Sequence, residues 1–325
     1  MTLQSNPINT IYVPHTIQAN IPLHDKNWFG TGGPARYFAQ PKTLEEFQEA
    51  VIFAQSLELS IFVLGQGANI LISDKGFDGL VIRPALQHIA LVQNNNQTFV
   101  KADAGVSMHS LIMYCLENNR IGLEEFSGIP GTVGGSIYIN LHYFEFLLAQ
   151  FLVEATVLHK PTGAITIVNS NWFEFGYNQS KLQHEEYYVC DATFRVTKAT
   201  DIQTAYARGR HVEIIRHRAA RYPTKNTCGS FFRNFKEHEV TLTSNGKKMI
   251  YVAYYLDKVG IKGQLSIGDA IVSYQHANMI VNCGNATSDD IITLARSMQE
   301  KVKQEFDIIP QPECRLIGFK EYPLL

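Results

Sequence analysis

No stretch of this chain approaches the ~18 consecutive apolar residues of a membrane-spanning helix, so the sequence predicts no membrane span. The five cysteines (Cys115, Cys190, Cys228, Cys283 and Cys314) are odd in number, far apart and without a C-x-x-C pair. That argues against a disulfide framework or a zinc site and for reduced thiols. Eleven histidines show neither H-E-x-x-H nor another ligand spacing, so no metal is assigned. A net charge of −2 gives no general pull toward nucleic acid. Met1–Pro14 is polar and uncharged, with no basic region before an apolar run. The expectation is no secretory signal and a cytoplasmic location. Also missing are the dinucleotide fingerprint G-x-G-x-x-G and the P-loop ending Gly-Lys-Ser/Thr, so a Rossmann NAD site and a nucleotide hydrolase are poorly supported. No internal repeat or low-complexity tract occurs.

What is present is the composition of a folded soluble protein, 45% hydrophobic and 18% charged over 325 residues. That length predicts two or three domains. Residues 1–20 read as a loosely held arm. Thr43–Leu57 reads as a helix opened by a Thr43/Glu46 capping box, with Leu44, Phe47, Val51 and Ala54 on one face. Tyr37–Ala39 is a short apolar run, and strands are expected at Ser60–Leu64, Gly79–Ile82, Thr98–Ala104, Phe151–His159, Ala164–Val168, Tyr187–Val196 and Asn278–Asn282. Further helices are expected at Ser107–Glu117, Asp201–Arg221, Lys248–Val259 and Ser288–Phe306, the last capped by Thr287. This alternation indicates α+β or α/β, with a boundary near residue 200.

Two glycine-rich segments stand out, Leu64-Gly65-Gln66-Gly67-Ala68-Asn69-Ile70-Leu71 and Gly128-Ile129-Pro130-Gly131-Thr132-Val133-Gly134-Gly135. Glycine weakens helices and strands alike and proline removes a donor, so the second segment is expected to be an irregular loop. Either could be a tight turn. Together they suggest bare backbone holding one large phosphate-bearing cofactor from two sides. Downstream lies Gly229-Ser230-Phe231-Phe232-Arg233-Asn234. Phe232 stands where G-x-S-x-G needs its second glycine, so Ser230 is not read as a hydrolase nucleophile; a backbone-capping serine is the plainer alternative. Glu313 sits between Pro312 and an apolar run; if partly buried, its pKa would rise toward neutrality. The arginines at 208–221 read as a solvated helix face or as a surface for a diphosphate.

In this order the motifs resemble the UDP-N-acetylenolpyruvoylglucosamine reductase family. The resemblance runs from about Asn27 to Gly318. It is carried by Asn27-Trp28-Phe29 with Gly32-Gly33-Pro34-Ala35, both glycine segments, Gly229–Asn234, Gly260-Ile261-Lys262-Gly263, His276-Ala277-Asn278 and Pro312-Glu313. Tyr222-Pro223 and the short length look like the family's shorter subtype. The resemblance implies an α+β fold: a two-subdomain FAD-binding module of the vanillyl-alcohol-oxidase type (20–87 and 88–200), a substrate-binding domain (201–308) and a C-terminal segment (309–325) with Glu313. It implies a monomer with FAD as cofactor, NADPH as hydride donor and a UDP-sugar as substrate. A hydride passes from flavin N5 to C3 of the enolpyruvyl group. Ser230 then protonates C2, and Glu313 helps stabilise the enolate. By the same resemblance Gly65, Gln66, Gly67, Ala68, Asn69, Gly128, Ile129, Gly131, Thr132, Gly134, Gly135 and Asn140 contact FAD. Tyr177, Asn234, Lys262, His276 and Asn278 contact substrate.

Two departures qualify the match. Asn178 stands where the family carries an arginine that pairs with the substrate carboxylate, and Leu141–Phe144 is bulky where the family has small residues. His142 or Arg233 could restore the charge. Two alternatives stay open: a flavoprotein of this fold with another substrate, and a non-catalytic relative that binds FAD or a nucleotide-sugar.

Overall fold

The structure is a computed structural model that describes residues 13–94, 97–184 and 186–325. Of the N-terminal arm, residues 1–12 lie outside the described residues. Ile17–Pro22 is not a loose arm but strand β1, paired antiparallel with β2 (Pro34–Ala39). With β3 (Ser60–Val63), β4 (Ile70–Ile72) and β5 (Phe77–Ile82), these strands make the first unit, whose sheet runs β1-β2-β5-β3. Helix α1 (Leu44–Ser56) covers it, burying Phe47, Ala50, Val51 and Ala54 against Ile61, Leu80 and Ile82. Thr43 caps α1 by accepting from the Glu46 N–H. Glu46 itself reaches the Lys42 N–H at 2.6 Å, so the return bond is one residue out from a capping box.

The second unit is a larger antiparallel sheet. Its strands are β6 (Ile89–Asn94), β7 (Gln97–Asp103), the short β8 (Arg120–Ile121), β11 (Leu152–His159), β12 (Ile165–Asn169) and β13 (Tyr187–Lys198). A two-stranded hairpin, β9 (His142–Tyr143) with β10 (Phe146–Leu147), projects from it. Alternating side chains of β7, β11 and β13 point into one core with α2 (Met108–Glu117) and α3 (Val133–Tyr138).

Helix α4 (Asp201–Arg221) also packs on this core, through Ala207 and Ile214. Its polar side chains fasten it there: Arg208 donates to Leu116 O at 3.0 Å, Arg210 pairs with Glu125 at 3.0 Å, and Arg218 donates to Gly128 O at 3.1 Å. The arginine cluster is therefore committed largely to protein carbonyls and a carboxylate rather than to a diphosphate. In packing, the third unit begins after α4.

That unit holds the hairpin β14 (Thr243–Ser244) and β15 (Lys247–Lys248), helix α5 (Val252–Lys258) and the meander β16 (Ser266–Ile267), β17 (Ala270–Val272), β18 (Ile280–Asn282). The helix expected from Lys248 thus starts four residues late. Asn245 and Gly246 both take positive φ, as Asn-Gly does in a tight hairpin turn, and Lys248 is used in the strand. Helix α6 (Ser288–Phe306) buries Ile291, Leu294, Ala295, Met298 and Val302. Its Thr287 cap is reciprocal: Asp290 N donates to Thr287 Oγ1 at 3.0 Å and Thr287 N to Asp290 Oδ2 at 2.8 Å. After α6 the chain returns to the first unit, where β19 (Arg315–Ile317) pairs parallel with β4. This return carries Glu313 to the junction of all three units.

Candidate active site

The three units enclose one cleft of about 2190 Å³. A pocket for a single small molecule is usually ~300–1,000 Å³, so this one has room for a dinucleotide and a second substrate. The two glycine segments meet on its wall. Gly131 N donates to Gln66 Oε1 at 2.9 Å, and a Cβ on Gly65 would lie 2.8 Å from Thr132 Oγ1. Gly67 has φ +67° and backs onto Asn27, whose Cα would be 2.6 Å from an added Cβ. The second segment is not wholly irregular. Thr132 accepts from Gly135 N at 3.2 Å and starts α3, so Gly134 and Gly135 are helical. Glycine is kept at 134 because that turn lies on Ala104, 3.1 Å from an added Cβ.

Another part of the wall is built from three distant pieces of chain. Residues 230–233 run between two partners. On one side Ser230 bridges Met279, and Phe231 N donates to Asn278 O at 2.8 Å. On the other, Glu313 N donates to Phe231 O at 2.8 Å and Arg233 N to Gln311 O at 2.9 Å. The buried Asn278 side chain pins the segment at both ends of its amide: it accepts from Phe232 N at 3.0 Å and donates to Phe232 O at 2.7 Å. Ser230 and Glu313 are thereby held on one surface of the cleft. Burial pushes the Glu313 carboxyl up to about 7, with the Asn178 side chain pulling weakly the other way.

Asn178 sits in a turn, 176–179, with left-handed φ of 54°, a conformation that asparagine tolerates better than most residues. Asn140 Nδ2 holds Gly176 O at 3.0 Å and Gln183 Nε2 holds Asn178 O at 2.8 Å, so the turn is rigidly placed. The Asn178 side chain faces Glu313, yet its Nδ2 is buried and completes no well-formed hydrogen bond among the described residues.

The remaining expected residues divide. Gly65, Gln66, Gly67, Ala68, Asn69, Gly128, Ile129, Gly131, Thr132, Gly134, Gly135, Tyr177, Asn234 and His276 all face the cleft. Asn140, Lys262 and Asn278 do not: the amides of Asn140 and Asn278 are spent on backbone groups, and Lys262 lies 3.9 Å from Asp257. Tyr177 spans the second and third units, its hydroxyl accepting from Asn234 Nδ2 at 3.4 Å. His276 is half-buried, and desolvation holds it down to about 4, so its ring is neutral; Nδ1 accepts from Asn278 N at 3.3 Å. That leaves the proton on Nε2 as a donor.

Neither residue expected to replace the missing charge is available. Arg233 is locked in a two-pronged pair with Glu239 at 2.7 and 2.8 Å, which holds that carboxyl down to about 2. The His142 ring packs on Tyr177 at 4.9 Å, and burial lowers its pKa. Sequence reasoning missed Arg315, a cation in the cleft wall 4.7 Å from the centre of the Tyr138 ring. Its only signal was its place two residues beyond Glu313.

Comparison with known proteins agrees with this layout. A model described as an FAD binding domain matches residues 35–169. Another, described as the UDP-N-acetylenolpyruvoylglucosamine reductase C-terminal domain, matches 221–317, beginning where α4 ends. The chain is 32% identical to the enzyme of that name from a Synechococcus strain, covering 95% of this chain and 94% of the relative. It is 34% identical to the one from Lactobacillus delbrueckii, covering 93% and 95%. The solved structure of the Thermus caldophilus enzyme superposes with a TM-score of 0.73 at 27% identity, over 93% of this chain and 99% of that one.

Proposed function

The chain belongs to the UDP-N-acetylenolpyruvoylglucosamine reductase family, and we propose that it performs that reduction, making UDP-N-acetylmuramate for peptidoglycan with FAD in the cleft and NADPH as hydride donor. The cleft fits such a cofactor. Its two glycine segments line it with bare backbone, and they are packed so closely on the protein that a Cβ at Gly65, Gly67 or Gly134 would meet Thr132, Asn27 or Ala104. Bound FAD supplies the redox chemistry, taking a hydride from NADPH and passing it to the enolpyruvyl double bond.

The protein's task is to handle the charge and the proton. Hydride addition at C3 leaves negative charge on C2 and the adjoining carboxylate. Glu313 with a pKa of about 7 is about half protonated at neutral pH, and its O–H donates to that developing charge. The buried Asn178 Nδ2–H, unspent by the protein, donates to the same group. Ser230 delivers the proton to C2: it faces the cleft, and its segment is fixed on both sides by hydrogen bonds. Tyr177, Asn234 and His276 receive the nucleotide end.

The observation that carries this reading is the convergence of Ser230, Asn178 and a raised-pKa Glu313 on the cleft that the glycine segments also line. Its test is anaerobic NADPH oxidation by FAD-loaded protein with and without UDP-N-acetylenolpyruvoylglucosamine. Turnover that depends on the sugar nucleotide, and that is lost in Ser230→Ala while flavin is retained and still reduced by NADPH, is the expected result. Flavin that NADPH reduces but the sugar nucleotide cannot reoxidise would reassign the substrate.

A further inference from the structure

Strands β2, β5 and β3 run parallel, and in such sheets ligands lie beyond the carboxyl ends of the strands. The residues there are Gln40 after β2, Arg83 after β5 and Leu64-Gly65 after β3, and all line the cleft. The Arg83 backbone is fixed: its N–H donates to Ala39 O at 2.8 Å, and Leu64 N donates to Ile82 O at 2.8 Å. Arg83 is half-buried, and its guanidinium makes no hydrogen bond or ion pair among the described residues. Two other arginines of the cleft, Arg218 and Arg233, are spent on Gly128 O and Glu239. A guanidinium on the cleft without a carboxylate is suited to an anion that arrives with a ligand.

The first glycine segment gives that anion a direction. It leaves the sheet at Leu64, beside the end of β5, and runs to Asn69, whose carbonyl accepts from Arg315 N at 3.1 Å. Arg315 lies two residues beyond Glu313. Arg83 and the Ser230–Glu313 wall are thus at opposite ends of one glycine segment. The hydride would be delivered at the Ser230–Glu313 end, which would put the flavin ring there and the rest of the cofactor toward Arg83.

Resting on the FAD assignment above, we propose that Arg83 binds the adenylate-side phosphate of FAD and makes the site selective for the dinucleotide over FMN. FMN carries only the phosphate nearer the ring and cannot reach this end of the cleft.

The test is titration of apoprotein by flavin fluorescence quenching, with FAD and with FMN, for wild type, Arg83→Ala and Arg83→Lys. Loss of one charge-assisted phosphate contact predicts FAD binding weaker by about 10- to 100-fold in Arg83→Ala, with FMN affinity changed less than about threefold. Arg83→Lys should recover part of the loss, and Arg83→Gln serves if the alanine variant does not fold. FAD affinity within about threefold of wild type would overturn the proposal, as would an equal loss for FAD and FMN. Wild-type protein that takes up no FAD would instead refute the cofactor assignment itself, and the role of Arg83 with it.

Discussion

Glu313 offers a test in which stability and activity must move together with pH. Burial lifts its carboxyl from 4.5 to about 7 in the native protein. Unfolding returns it to water, where it ionises near its ordinary value. Below pH 4.5 both states hold the proton and the site costs nothing. Between 4.5 and 7 the unfolded chain releases the proton while the native chain keeps it, so the native state loses ground as pH rises. Above 7 the penalty levels off at about 3 kcal/mol, from 1.36 kcal/mol for each pH unit separating the two values. Replacing Glu313 by Gln keeps size and hydrogen bonding but cannot ionise. The variant should match wild type at pH 4 and melt higher by roughly 6 °C at pH 8, at ~2 °C per kcal/mol for a chain of this length. In the wild type, kcat/KM should fall as pH rises through about 7, because the ionised carboxylate cannot donate to the enolate. In Glu313→Gln that limb should vanish. Calorimetric scans of both apoproteins from pH 4 to 8, with matched initial-rate profiles, decide the matter. A melting difference that is constant with pH, or that shrinks as pH rises, would refute the burial argument.

Two further outcomes follow from backbone geometry at the site. Gly67→Ala combines a left-handed φ with a Cβ 2.6 to 2.8 Å from Asn27 and Lys26, whereas Gly163→Ala shares the φ of +66° but has nothing within 4 Å. Denaturant titration should therefore show Gly163→Ala costing only the left-handed penalty of ~1 kcal/mol and Gly67→Ala costing clearly more, with loss of FAD binding; equal costs would mean that the close approach to Asn27 is unimportant. Asn178→Ala removes the neighbour that pulls the Glu313 carboxyl down, so the fall in kcat/KM should move to higher pH while the maximal rate drops. A shift toward lower pH in that profile would contradict the placement of the amide beside Glu313.

The parts of this molecule that were legible in its sequence are those whose causes are local. Thr43 and Thr287 each cap a helix through a hydrogen bond spanning three residues, and α4 and α6 cover the expected Asp201–Arg221 and Ser288–Phe306. Glycine segments were legible as backbone surfaces, but not that Thr132 would fold Gly134 and Gly135 into a helical turn, because the contact that demands glycine there comes from Ala104 across the sheet. Side-chain allegiance was the least legible property. Asn140, Asn178 and Asn278 are the same residue type near the same cleft. Two spend their amides on backbone groups, while the Nδ2 of the third is left unsatisfied beside Glu313. The arginines of α4 were equally ambiguous until Leu116 O, Glu125 and Gly128 O claimed three of them. What separates these cases is competition: a polar side chain becomes available to a ligand only when the fold offers it no better partner, and that depends on every segment packed around it. The return of β19 onto β4 illustrates this most directly. Moving that one short strand would take Glu313 from beside Asn178 and give it back to solvent, so the acidity on which the proposed chemistry depends is a property of the topology rather than of the Pro-Glu motif.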